Sequence, residues 1–205
     1  MFLVGLTGGI GSGKTTVAEL LRAKGAVILD ADEYARRAVE AGSAALERVV
    51  ERFGPEVLAA DGSLDRERMA ALAFADPSAR ADLERIVHPE VARRFAEDVE
   101  RYRGTDEVVV YVVPLLAERG LQDLFDAVVA VSAPEDLRVE RLRVRGMAEE
   151  DARARIAAQL PEHERLAVAD IVVANRGSLA GLEPEVDRLW AELLEARRNG
   201  PEAGR

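Results

Sequence analysis

Eight residues near the N-terminus, Gly8-Gly9-Ile10-Gly11-Ser12-Gly13-Lys14-Thr15, constrain this chain more than any other feature. They follow the P-loop pattern: glycine, four residues, then Gly-Lys-Ser/Thr. Glycines let a backbone wrap a phosphate with its N–H groups turned inward. The helix that follows offers its N-terminus to the anion. In such a loop Lys14 reaches the β- and γ-phosphates and the Thr15 hydroxyl binds magnesium. The context agrees. Phe2–Leu6 is an apolar run that reads as a buried strand, and Lys14–Ala23 carries the apolar stripe Val17, Leu20, Leu21 of a helix. Ala26–Leu29 reads as a second strand, which makes a right-handed βαβ start. Only two lysines occur in the chain, Lys14 and Lys24, and one of them falls at the position the pattern requires.

The rest of the chain reads as a parallel α/β protein with helical additions. Strand signals are almost absent from Glu33 to about Gly104. Helical patterns recur there at Glu33–Ala41, Ser43–Phe53, Arg66–Ala75, Ser78–Val87 and Pro89–Tyr102, with turns at Gly54-Pro55 and Asp61-Gly62 and an N-cap at Asp76. Strands return at Val108–Val113, Ala127–Val131 and Ile171–Val173. Helices are predicted at Pro134–Arg145, Glu149–Gln159 and Gly181–Arg198, and the tail Asn199–Arg205 as frayed. The predicted fold is therefore a P-loop kinase core with a parallel five-stranded sheet, a helical insertion and a helical hairpin. Residues 1–32 and 105–205 would form the core, 33–104 the insertion and 135–165 the hairpin.

Composition removes other classes. The 205 residues include no cysteine, which excludes disulfides, thiolate metal sites and thiol catalysis. Two histidines, His88 and His163, exclude a multi-histidine metal site. A net charge of −10, from 28 basic against 38 acidic residues, argues against a nucleic-acid partner held through phosphates. The longest uncharged stretches, Met1–Gly13 and Val108–Ala117, are too short to span a bilayer. No basic n-region precedes an apolar one, so a secretory signal is not expected and a cytoplasmic location is. The guanine-reading Asn-Lys-x-Asp of GTPases is absent, as is Asp-x-x-Gly.

Several further residues carry candidate chemistry. Asp30-Ala31-Asp32 ends the second strand, where strand ends of open α/β sheets line the crevice. Asp32 there can take a proton from an attacking hydroxyl or help hold magnesium, or it can simply cap the next helix. Arg138, Arg141 and Arg145 share one helical face, suited either to clamping a phosphoryl group or to solvated ion pairs with Glu140, Glu149 and Glu150. Arg155 and Gln159 form another i,i+4 pair. Asn175 follows an apolar strand, as an adenine-reading amide or a turn residue. Tyr34, Phe74 and Phe95 fall on helical faces and read as core. Leu64-Asp65-Arg66 reads as a turn and cap, His88-Pro89 as a helix start. Pro114-Leu115-Leu116-Ala117-Glu118 leaves the central strand at the crevice edge. From the residues alone, the chain is a P-loop kinase of a small acceptor, with a non-catalytic nucleotide-binding module as the alternative.

Together these segments resemble the dephospho-coenzyme A kinase family. The likeness runs from Leu6–Thr16 through Asp30-Ala31-Asp32, Phe53-Gly54, Leu64-Asp65-Arg66, His88-Pro89, Pro114-Leu115-Leu116 with Glu118, Arg141 with Arg145, Arg155-Ile156 with Gln159, and Ala169-Asp170 with Asn175. It implies ATP-dependent phosphorylation of the ribose 3′-hydroxyl of dephospho-coenzyme A, with ATP and Mg2+ bound, and small molecules as partners. It further implies an acceptor domain in the insertion and a lid in the hairpin. By that resemblance Asp32 is the base, and Gly9, Gly11, Ser12, Gly13, Lys14, Thr15 and Thr16 hold the phosphates. Thr15 takes the metal, Arg141 and Arg145 close from the lid, and Asn175 lies near adenine. Leu64, Arg66, His88, Pro114, Leu115 and Leu116 face the acceptor. Two departures stand out: Val112 replaces an acidic residue that many members carry two before Pro-Leu-Leu, and Gly146, not aspartate, follows Arg145.

Overall fold

The computed structural model describes residues 1–200. Its described residues divide into two compact units, Met1–Leu29 with the chain from Tyr102 on, and Asp30–Arg101.

The first unit is built on a five-stranded sheet. Its strands are β1 (Phe2–Gly8), β2 (Val27–Asp30), β3 (Val108–Val112), β4 (Ala127–Ser132) and β5 (Ile171–Ala174). Their order is β2-β3-β1-β4-β5, and the registers joining β3, β1, β4 and β5 are parallel. The near-continuous apolar runs follow from covering both faces. Phe2, Val4 and Leu6 of β1, Val108, Val110 and Val112 of β3, and Val129 and Val131 of β4 share one core with helices α1 (Lys14–Ala23) and α9 (Leu179–Asn199), through Val17, Leu21, Val186, Leu189 and Leu193. The alternate residues bury themselves on the other face. There a Cβ on Gly5 would stand 2.6 Å from Leu116 Cδ1 and 2.8 Å from Phe125 Cδ2, so β1 needs glycine for that packing.

Three further helices follow β4: α6 (Glu135–Val144), α7 (Glu149–Ala157) and α8 (Glu162–Ala167). The first two form a hairpin around Val139, Leu142 and Ala152. Gly146 turns that hairpin at φ +89°, donating to the Arg143 carbonyl at 2.9 Å, while Met147 N–H reaches Leu142 at 3.1 Å. This is a helix stop that glycine accommodates without strain, so Gly146 closes the turn. Helix α8 was not expected: six residues are too few to show a helical period.

The second unit holds α2 (Ala31–Ala38), α3 (Ala44–Phe53), α4 (Arg66–Ala75) and most of α5 (Pro77–Tyr102), packed around Val39, Leu46, Val49, Val57 and Met69. Two expectations are corrected here. The expected helices 78–87 and 89–102 are one helix, and Pro89 lies inside it rather than at a start. An interior proline removes one backbone bond and crowds the preceding turn. In that turn Arg48 donates to the Ile86 carbonyl at 3.2 Å, and Leu83, Ile86 and Val87 pack on the unit's core. Phe74, read as core, is 88% exposed. Tyr34 is buried as expected, its hydroxyl donating to Asp98. The end of α9 at Asn199 takes in the start of the expected tail, and residues 201–205 lie outside the described residues.

Candidate active site

The glycine loop joins β1 to α1 at the C-terminal edge of the sheet. Gly11 and Gly13 have φ of +76° and +99°, a region that glycine enters freely. Lys14 Nζ lies back across the loop and donates to the carbonyls of Gly8 at 2.7 Å and Gly9 at 3.1 Å. Its charge is thereby fixed beside the backbone that would surround a phosphate. Ser12 is buried, and its Oγ has no hydrogen-bond partner. Thr15 and Thr16 are exposed in the first turn of α1.

Side chains from α6 and the β5–α9 connection hold the loop from outside. Arg138 Nε donates to the Ile10 carbonyl at 2.8 Å. Arg141 Nη1 donates to Gly11 and Ser12 carbonyls, both at 3.1 Å, and its Nη2 to Asn175 Oδ1 at 2.9 Å. Asn175 Nδ2 donates to the Ser12 carbonyl at 2.8 Å. C=O and N–H point opposite ways across a trans peptide. Holding the Ile10 and Ser12 carbonyls outward therefore turns the Gly11 and Gly13 amides to the other side, where an anion would sit. Burial pulls the Arg138 guanidinium below the usual arginine range, and burial followed by the neighbouring Arg145 charge does the same to Arg141. Both stay cationic at any working pH.

Beside this loop lies a cavity of about 570 Å³. Gly13 and Thr16 form one side, Leu137, Arg141, Val144 and Arg145 of the α6 segment another, and Asn175 to Leu182 a third. Val144 and Leu179 present apolar surface to it, 84% and 55% exposed.

The sequence profile of the family described as dephospho-CoA kinase matches residues 2–181. The chain belongs to the dephospho-CoA kinase family. A relative from Streptomyces avermitilis, named dephospho-CoA kinase, is 51% identical over 195 residues, 95% of each chain. Another so named, from Anaeromyxobacter dehalogenans, is 49% identical over 96% of this chain and 94% of its own. A crystal structure from Thermus thermophilus matches with a TM-score of 0.78 at 40% identity, over 94% of this chain and 97% of that one. A shikimate kinase from Bacteroides thetaiotaomicron shares the fold, with a TM-score of 0.53 at 19% identity over 95% and 98% of the two chains. The chain is thus a kinase of this family on a P-loop fold. No helix of the described residues is long and apolar enough to cross a membrane.

Within the first unit the structure gathers Gly9, Gly11–Thr16, Arg141 and Asn175 around one loop, with Arg145 one turn further along the cavity wall. Asn175 differs from the expectation in detail: it is 2% exposed, and its amide is engaged with the loop backbone. Pro114 and Leu115 are half-buried after β3. Leu116 is fully buried against Gly5, so it belongs to the core and offers an acceptor no surface.

The other expected residues belong to the second unit. Asp32 is the second residue of α2 and exposed. The cap of that helix is Asp30, whose Oδ1 accepts from Asp32 N–H at 2.7 Å and Glu33 N–H at 3.3 Å. The Asp32 carboxylate is therefore not the cap. Leu64 is half-buried and bridges Leu58 in the turn before α4. Arg66 is exposed, with Nη2 donating to the Arg36 carbonyl at 3.3 Å, and His88 is half-buried in α5.

One ion pair of the first unit has no signature in the sequence. Arg165 of α8 is 3% exposed and donates to Glu118 at 3.2 Å and to the Leu160 carbonyl at 2.8 Å. Glu118 follows Pro-Leu-Leu, and α8 itself gave no signal, so the pair becomes visible only in three dimensions. With Arg165 buried and Glu118 half-buried, the pair is costly to break from the Glu118 side, because the arginine would be left as an uncompensated buried charge.

Proposed function

We propose that the chain transfers the γ-phosphoryl group of ATP to the ribose 3′-hydroxyl of dephospho-coenzyme A, giving coenzyme A and ADP. The observation that carries this reading is the strapped loop, with Lys14 laid across it, in a chain of this family. The bond from the γ-phosphorus to the β–γ bridging oxygen breaks, a bond to the ribose 3′-oxygen forms, and the hydroxyl proton leaves to a base.

The roles are those the family resemblance implies, and in the first unit the grouping around the loop supports them. Gly9, Gly11, Ser12, Gly13, Lys14, Thr15 and Thr16 take the ATP phosphates. The adjoining cavity takes the base of the nucleotide, with Val144 and Leu179 offering apolar faces to a ring and Asn175 in its wall. Arg141 and Arg145 balance charge that spreads over the transferring group. Asp32, exposed in the first turn of α2, accepts the hydroxyl proton. Leu64, Arg66, His88, Pro114 and Leu115 serve the acceptor.

The donor set also fits magnesium arriving with the nucleotide. The Thr15 hydroxyl is exposed at the end of the loop, and Mg2+ is commonly held by one or two protein oxygens plus substrate phosphates and water. Among the described residues no cluster of three or more His, Asp or Glu side chains forms a separate cage, and Val112 is buried in β3. When bound, the ion would neutralise phosphate charge.

The test is product identification. The purified chain, incubated with Mg2+, ATP and dephospho-coenzyme A, yields a 3′-phosphorylated product by mass spectrometry and phosphorus NMR, with Lys14→Ala as the blank. Nucleotide binding without that product would point to a different acceptor.

A further inference from the structure

Ile10 sits third in the loop, between two glycines, and every group it has is taken by the segment 138–159. Its N–H donates to Gln159 Oε1 at 2.8 Å. Its carbonyl accepts from Arg138 Nε at 2.8 Å. Arg138 Nη2 donates to the same Gln159 oxygen at 3.1 Å, which closes a ring of three hydrogen bonds around one residue. Its side chain packs on Val139, Leu142 and Ala152 between α6 and α7, with Met147 and Ile156 alongside. The glycines on either side serve the same contact. A Cβ on Gly9 would stand 2.4 Å from Arg138 Nη2, and one on Gly11 would stand 2.9 Å from the Arg138 carbonyl.

We propose that Gln159 and Arg138 are positioning residues for the phosphate loop, and that Ile10 is the peg by which the loop and the α6–α7 hairpin hold one another. This inference rests on reading the loop as the ATP phosphate site. A glycine-rich loop has much conformational freedom to lose when it wraps an anion. Fixing the Ile10 peptides beforehand removes part of that loss and so favours binding. The bond from Ile10 N–H to Gln159 also withdraws this amide from the phosphates and leaves the later amides of the loop as donors. A hairpin pegged in this way cannot swing as a free lid: any movement of α6 and α7 carries the loop with it.

The two bonds Gln159 receives fall on a single oxygen, which separates positioning from bulk. Gln159→Glu keeps an acceptor for both; Gln159→Met keeps the length and loses it. The probe is the non-hydrolysable ATP analogue adenylyl imidodiphosphate with Mg2+, titrated calorimetrically into each variant, together with KM for ATP and for dephospho-coenzyme A and the melting temperature. The expected result is binding weakened about fivefold or more in Gln159→Met, which loses the acceptor of both hydrogen bonds, and about twofold or less changed in Gln159→Glu. KM for ATP follows the affinity and KM for dephospho-coenzyme A stays level. Equal affinities in the two variants, or a lower melting temperature in Gln159→Met with unchanged affinity, would overturn the positioning role. Failure of the unaltered chain to bind the analogue would instead overturn the ATP reading itself, and the positioning role with it.

Discussion

At Gly13 an added methyl group meets two obstacles. The backbone has φ +99°, and the new Cβ would stand 2.2 Å from Asn175 Nδ2 and 3.4 Å from Arg141 Nη1. Left-handed backbone costs a non-glycine residue about 1–2 kcal/mol. The clash also pushes away the amide that holds the Ser12 carbonyl. Gly13→Ala should therefore lower kcat/KM for ATP by an order of magnitude or more, while the melting temperature falls by a few degrees, about what 1–2 kcal/mol produces in a chain this size. Steady-state kinetics beside a thermal melt would show both. The Asp30 and Asp32 carboxylates offer a sharper contrast. Asp30 caps α2, so Asp30→Ala should cost about 1 kcal/mol of stability, read from urea unfolding. Asp32 lies in the first turn of the same helix, past the cap, and Asp32→Asn should lower kcat by about 10²–10⁴, the usual worth of a positioned base. Turnover within twofold of the parent would take Asp32 out of that role. The sequence identified both carboxylates but not which of them caps, because helix ends move by a residue or two with local geometry that no pattern encodes. The family resemblance likewise has Leu116 facing the acceptor. The turn after β3 instead sends that side chain onto Gly5, a contact between positions more than a hundred residues apart.

Helix α5 shows what an element owes to its neighbours. Proline at position 89 reads as a boundary, yet the helix continues. Just beyond it, Glu90 accepts from Arg93 at 2.5 Å and from Arg94 at 2.9 Å. The Arg93 hydrogen bond, with the charges of Arg93 and Arg94, holds the Glu90 carboxyl down at about 2 from an ordinary 4.5. A carboxyl whose folded value is depressed contributes stability that is fully present above its unfolded value and is lost as pH falls. For Glu90 that window runs from about 4.5 down to about 2. Urea midpoints measured across it should fall less steeply for Glu90→Gln than for the parent, and the two curves should converge at the acid end. Parallel curves would mean that the pair contributes nothing to folding. The central strands β1, β3 and β4 were legible because burial on both faces leaves an unmistakable apolar run, and α1 and α4 because their limits coincide with a glycine loop and an aspartate cap. Helix α8 was not legible, since six residues complete fewer than two turns and its most buried residue, Arg165, is charged.

Across the whole molecule, a net charge of −10 repels the anionic substrates of a nucleotide kinase at long range. Screening confines that repulsion to about 8 Å at physiological salt, so binding depends on what lies within contact distance. In the first unit that is Lys14, Arg138, Arg141 and Arg145 around the loop and cavity. On the proposed reading the second unit adds Arg66 of α4 and His88 of α5. If the two units divide the labour as proposed, each substrate should leave a separate imprint. Hydrogen exchange measured with adenylyl imidodiphosphate and Mg2+ alone should slow amides in 8–16, 137–146 and 175–182. Dephospho-coenzyme A alone should slow amides near 32, 64–66, 88 and 114–115. Strand amides such as those of β1 already exchange slowly through the global stability of the sheet and should change little with either. Protection by dephospho-coenzyme A confined to the first unit would remove the acceptor role from the helical unit. It would leave Leu64, Arg66 and His88 as parts of that unit's own packing, while the loop, its arginines and the phosphate chemistry argued from them would stand unchanged.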